Sequence, residues 1–106
     1  MIWYRVRDLD AARAFYAGTL GFTVDELSEK AVQLSRGRTV VGLEPGEPDP
    51  DGAVAMIDVD DIKVEAERLR EAGAEVGIVL ELHDAMRIAD VFDPDGNRLQ
   101  LGEEIR

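Results

Sequence analysis

A chain of 106 residues with 45% hydrophobic side chains fits one domain with a modest core, and no apolar run reaches the roughly 20 residues needed to cross a bilayer. The formal net charge of −11, from 23 acids against 12 bases, repels phosphate backbones and argues against nucleic acid or a membrane as partner. The absence of cysteine excludes disulfides, thiolate metal sites and cysteine nucleophiles.

The acids are spread along the chain, which reads as a solvated surface, and the preponderance of Arg over Lys suits a GC-rich genome or a preference for forked donors. Met1 leads directly into patterned sequence with no signal-peptide pattern, so the cytoplasm is the expected compartment. In chain order, Ile2 to Asp8 opens as a strand ending in an aspartate, and Asp8 is placed to cap a helix bearing Leu9, Ala12, Phe15, Tyr16 and Leu20 on one face. Gly21 sits where a helix end needs a left-handed residue. Phe22 to Leu27, Ala31 to Leu34 and Thr39 to Leu43 read as three strands. Pro45, Pro48, Pro50 and their glycine neighbours mark residues 45–52 as a linker.

The second half repeats the first at an offset of 53 residues, with Ala55 to Asp61 matching Ile2 to Asp8. Asp61 is the matching cap, Ile62, Ala66, Leu69 and Ala72 form the apolar helix face, and Gly73 is the matching stop. Strands are predicted over Glu75 to Leu80, Met86 to Phe92 and Arg98 to Leu101, the last two joined by the turn sequence Asp93-Pro94-Asp95-Gly96-Asn97. The prediction is an α+β domain of two βαβββ modules, 1–44 and 53–106, forming a curved eight-stranded sheet, an open cup with both helices on its outer face.

That order, with the phrases Val6-Arg7-Asp8-Leu9, Phe15-Tyr16, Leu20-Gly21-Phe22 and Asp93-Pro94-Asp95-Gly96-Asn97-Arg98-Leu99, resembles the vicinal oxygen chelate superfamily, the glyoxalase and bleomycin-resistance group, over essentially the whole chain. The resemblance implies paired modules, joined within one chain or between the chains of a homodimer. For enzymes of the group it implies a divalent metal held by His, Glu or Gln at four strand positions. Here those positions fall on Met1, Glu44, Val54 and Gln100. Met1 is a poor ligand for a hard metal and Val54 is none, which leaves Glu44 and Gln100 as weak candidates.

The resemblance therefore points to the branch without metal or other cofactor, in which the cup binds an organic molecule directly. Strand alternation places Trp3 and Arg5 on the cup side, and Met56 and Asp58 by the same parity. Trp3 and Arg5 together suit a flat ligand or one bearing a carboxylate or phosphate; equally, Trp3 fills the sheet interior and Arg5 pairs with Asp58. His83 and Arg87 lie where the family's cup mouth is expected, and Gln100 completes the candidate lining. Two rival readings stand beside the binder. One is a metal-dependent lyase, isomerase or dioxygenase with Glu44, His83 and Gln100 at its site, and the other is a non-catalytic accessory dimer.

Overall fold

The computed structural model describes residues 1–105. Strand β1 (Ile2–Val6) leads through Asp8 into α1 (Leu9–Ala14), a π-helical turn over Phe15–Thr19, then β2 (Thr23–Leu27), β3 (Val32–Arg36) and β4 (Thr39–Pro45). After a proline-rich segment come β5 (Ala55–Asp58), α2 (Ile62–Glu71), β6 (Glu75–Val76), β7 (Leu80–Leu82), β8 (Met86–Phe92) and β9 (Arg98–Glu104). Both predicted caps are in place, with the backbone N–H of Ala11 donating to Asp8 at 3.1 Å and that of Val64 to Asp61 at 3.2 Å. Gly21 and Gly73 take the predicted left-handed conformation, with φ of 78° and 93°.

The strands are arranged differently from the single eight-stranded sheet that was expected. Among the described residues nine strands form two sheets, one ordered β1-β4-β3-β2 and the other β5-β9-β8-β6 with β7 also on β8. The extra strand arises because the run from Glu75 to Leu80 is broken. Val76 pairs with Val91 and Leu80 with Ile88, so three residues on one side oppose two on the other and the ladder bulges. The first helix also departs from expectation, since its second half widens into the π-helical turn, in which Leu20 N–H reaches back to the Phe15 carbonyl at 3.0 Å.

In each sheet the first strand pairs in parallel with the last, β1 with β4 and β5 with β9, so each helix is a crossover lying on one face. Tyr4, Val6, Leu34, Leu43 and Tyr16 from the first part, and Ile57, Ile62, Leu69, Leu99 and Leu101 from the second, bury into one common core. No helix among the described residues is long and apolar enough to cross a membrane.

Polar groups fasten the two sheets where the edges β1 and β5 meet. Tyr4 Oη donates to the Arg98 carbonyl at 2.6 Å and accepts from Ala55 N–H at 2.9 Å. The phrase Asp93 to Asn97 is more than a turn, because both its end residues are buried. Asp93 accepts from Tyr16 Oη at 2.8 Å, from the backbone of Asp95 and Asn97 at 2.9 Å each, and from Asn97 Nδ2 at 3.0 Å. Asn97 Nδ2 also donates to the Arg5 carbonyl on β1 at 2.9 Å. Near the helix ends, Glu65 on α2 accepts from both Arg36 and Arg68, while Arg36 donates to the Leu20 carbonyl at 2.9 Å and Arg68 to that of Thr19 at 3.3 Å. Burial alone would raise the Glu65 pKa, but the hydrogen bonds from Arg68 and Arg36 hold it below its ordinary value.

Replacing Tyr16 by Phe removes a buried donor to a buried carboxylate, and we expect a loss of about 1–3 kcal/mol in denaturant unfolding. Burial first, and then the neighbouring Asp93 charge, raise the Tyr16 hydroxyl pKa above its ordinary 10.0. The folded state therefore holds this proton more tightly than the unfolded chain. The stabilisation is complete below about pH 10 and declines as pH rises beyond it, by up to about 1.4 kcal/mol per pH unit. Tyr4, also raised chiefly by burial, adds in the same direction. Unfolding measured across alkaline pH should show a shallower decline in Tyr16→Phe than in wild type; equal slopes would show that Tyr16 is not the group responsible.

Candidate functional site

Because both helices cover one side of the sheets, each sheet keeps a face turned away from the core. On the first sheet the register places Trp3, Gly42, Gln33 and Glu26 in one row across β1, β4, β3 and β2. The indole of Trp3 lies across this row on Gly42, where any β-carbon would collide with it. Only glycine leaves room for the ring to lie down there, and Trp3 remains 47% exposed. On one side of the indole is a recess of about 230 Å³ lined by Trp3, Glu26, Leu27, Ser28, Ala31 and Gln33. Another of about 300 Å³ involves Trp3, Arg5, Glu44, Asp49 and Asn97.

Glu26 reaches this face through a second bulge. Val24 pairs with Leu34 and Glu26 with Gln33, so Asp25 is left without a partner and the alternation flips. Strict parity from Phe22 and Val24 would have sent Glu26 toward the helices, and sequence reasoning did not single it out. Gln33 and Gly42 were legible in principle from the alternation of β3 and β4.

On the second sheet the open face carries Met56 beside Gln100 and Gln100 beside Asp90. Asp90 accepts from Gln100 Nε2 at 3.2 Å and pairs with Arg98 at 3.4 Å, a polar cluster the sequence reading had not assembled. Gly102 plays the part of Gly42 here, since a β-carbon on it would stand 2.9 Å from Met56 Sδ and 3.2 Å from Met86 Cε.

Several expected partnerships differ. Arg5 pairs with Glu44, its register partner on β4, at 3.8 Å, and Asp58 pairs with Arg38 at 2.9 Å, so Arg5 and Asp58 do not pair with each other. Arg87 lies on the opposite side of its strand from Ile88 and Asp90, sharing parity with buried Ala89 and Val91. Its guanidinium pairs with Glu103 at 2.8 Å and Glu81 at 3.7 Å, and Glu103 accepts from Ile62 N–H at the start of α2. His83 stands exposed at the β7–β8 turn, where it and Asp84 have φ of 50° and 55°. The structure thus brings Trp3, Arg5 and Glu44 together on one sheet and Met56 and Gln100 on the other, with His83 and Arg87 outside both groups.

Two sheets, each built from a strand, a crossover helix and returning strands, with a polar open face opposite a shared core, define a βαβββ-type protein of the glyoxalase class. The chain belongs to the Glyoxalase/Bleomycin resistance protein/Dioxygenase superfamily, whose family model matches residues 1–101. It is similar in structure to TnmS3, an antibiotic binding protein from Streptomyces sp. CB03234, at 24% identity and a TM-score of 0.75, covering 97% of this chain and 93% of that one. It resembles a glyoxalase family protein from Bacillus anthracis at 22% identity and a TM-score of 0.81, with 97% and 91% covered. A lactoylglutathione lyase from Agrobacterium tumefaciens aligns at 24% identity and a TM-score of 0.74, with 97% and 91% covered. Among curated proteins no significant match is found.

The residues at the family's metal positions do not fit a divalent ion. Val54 has no donor atom, Met1 offers only a thioether, Glu44 is paired with Arg5, and the Gln100 amide is turned to Asp90. Among the described residues no three His, Cys, Asp or Glu side chains come together as a metal site.

The seat of the indole gives a direct expectation. Gly42→Ala should lift the ring off the sheet, red-shifting tryptophan emission and weakening its protection from an aqueous quencher. Because Trp3 is half-exposed, the cost in stability should stay below about 1 kcal/mol. Emission identical to wild type would mean that the ring does not rest on Gly42.

Proposed function

We propose that this chain binds a small organic molecule directly on the open face, in the manner of a cup-forming binder, and needs no metal to do so. The observation that carries the reading is the Trp3 indole, laid flat on Gly42 with its other face exposed between two recesses. A large apolar ring held flat and wet is a stacking shelf for a planar ligand. Met56, kept pliable over Gly102, supplies an apolar wall on the second sheet, and Gln100 and Arg5 supply polar contacts. The unfitting metal positions support direct binding over metal-assisted chemistry, and the likeness to an antibiotic binding protein agrees with it. A homodimer belongs to the same reading, supported by the exposure of Met56, Leu80 and Leu82, at 39%, 49% and 39%. Sedimentation velocity giving twice the monomer mass is the expected result for that assembly.

Trp3 is the only tryptophan in the chain, so its emission reports the site alone. Titration with a panel of planar aromatic compounds should give saturable emission changes and raise the melting temperature as ligand exceeds its dissociation constant. Trp3→Ala should weaken binding by about tenfold, in line with about 1–1.5 kcal/mol for an aromatic contact. Elemental analysis of purified protein should find no stoichiometric transition metal. Near-stoichiometric Mn, Ni, Fe or Zn, removed together with turnover of a hemithioacetal, epoxide or catechol by a chelator, would replace this reading with the enzymatic one.

A further inference from the structure

The charges around the Trp3 shelf are unevenly matched. Each arginine bordering the open faces has a carboxylate partner, Arg5 with Glu44 at 3.8 Å, Arg38 with Asp58 at 2.9 Å and Arg98 with Asp90 at 3.4 Å. Glu26 is different. Among the described residues, neither a cation nor a hydrogen-bond donor from the chain meets its carboxylate, although it lines the same recess as Trp3 and Gln33. Three features thus converge on one row of the sheet: an exposed aromatic face, an amide on Gln33 and an unmatched carboxylate.

We propose that Glu26, Gln33 and Trp3 form a receptor for a protonated amine carried by a planar organic ligand. An indole face attracts a cation through its quadrupole, and a carboxylate at the edge of the same recess adds a charge-assisted hydrogen bond. A carboxylate-bearing ligand gains less, because Arg5, which lines the recess on the indole with Glu44, must share its charge with that carboxylate. The chain's surplus of acids favours the approach of a cationic ligand. The β2 bulge is what delivers Glu26 to this face, so the selectivity rests on a backbone irregularity and not on strand parity.

This inference rests on the direct-binding reading above, and three probes of nearly one shape separate the two: 1-naphthylmethylammonium, the neutral 1-naphthylmethanol and the anion 1-naphthoate. Dissociation constants come from calorimetry, and the single indole N–H resonance in the nitrogen-correlated NMR spectrum shows whether each probe reaches Trp3. The ammonium should bind at least about fivefold more tightly than the alcohol, and the carboxylate most weakly. In Glu26→Gln the ammonium should fall to within about twofold of the alcohol, and a melting temperature equal to that of wild type shows that the variant is folded. Equal binding of ammonium and alcohol by wild type, or a preference that survives Glu26→Gln, overturns the amine receptor; a saturable indole shift with the alcohol then leaves the direct-binding reading standing. No indole shift with any of the three overturns both.

Discussion

The carboxylate of Asp93 gathers four donors at the place where the two sheets meet, and the relation of one sheet to the other depends on it. It takes a hydrogen bond from Tyr16 on the first helical segment and organises its own turn through the N–H groups of Asp95 and Asn97. Asn97 then reaches across to the β1 carbonyl of Arg5. A buried carboxylate is costly unless nearly all its acceptor sites are filled, and filling them requires the helix, the turn and the edge strand to be in place together. That requirement sets β1 against the start of β9, and so fixes where Trp3 and Arg5 stand relative to the second sheet.

From this junction the two open faces follow. The parallel pairing of first and last strands in each sheet sends both helices to the core side, which leaves the odd positions of β1 and their counterparts on β5 uncovered. Glycine then shapes those faces. Where β4 carries Gly42, a ring lies down; where β9 carries Gly102, two methionines close over the gap. The faces thus combine large, exposed apolar groups with carboxylates.

The parts of the fold that could be read from the sequence are those fixed by local rules. Asp8 and Asp61 cap because a side-chain oxygen two or three residues ahead of free N–H groups needs no distant partner, and Gly21 and Gly73 stop helices for an equally local reason. Trp3 and Met56 were legible from strand parity. What escaped was non-local. Arg5 finds Glu44 because β4 lies beside β1, a pairing made across some forty residues that no periodicity reveals. The phrase from Asp93 to Asn97 looks like a turn and is one, but its burial depends on Tyr16, which the sequence marks only as an apolar-face residue. Arg87 was drawn toward the cup by its position near the expected mouth, when its strand parity already placed it with Ala89 and Val91. The break after Val76 and the missing partner of Asp25 are backbone bulges, and neither leaves a compositional mark beyond Gly77.

The unpaired Asp25 is a spacer of one residue that the ladder can place elsewhere. Deleting that residue would remove the bulge yet leave Glu26 opposite Gln33 on the open face, whereas pairing Asp25 itself with Gln33 would put Asp25 on that face and turn Glu26 to the helix side. The carboxylate shown to a ligand is thus set by where the unpaired residue sits along β2, and the bulge can move by one position without any change of sequence.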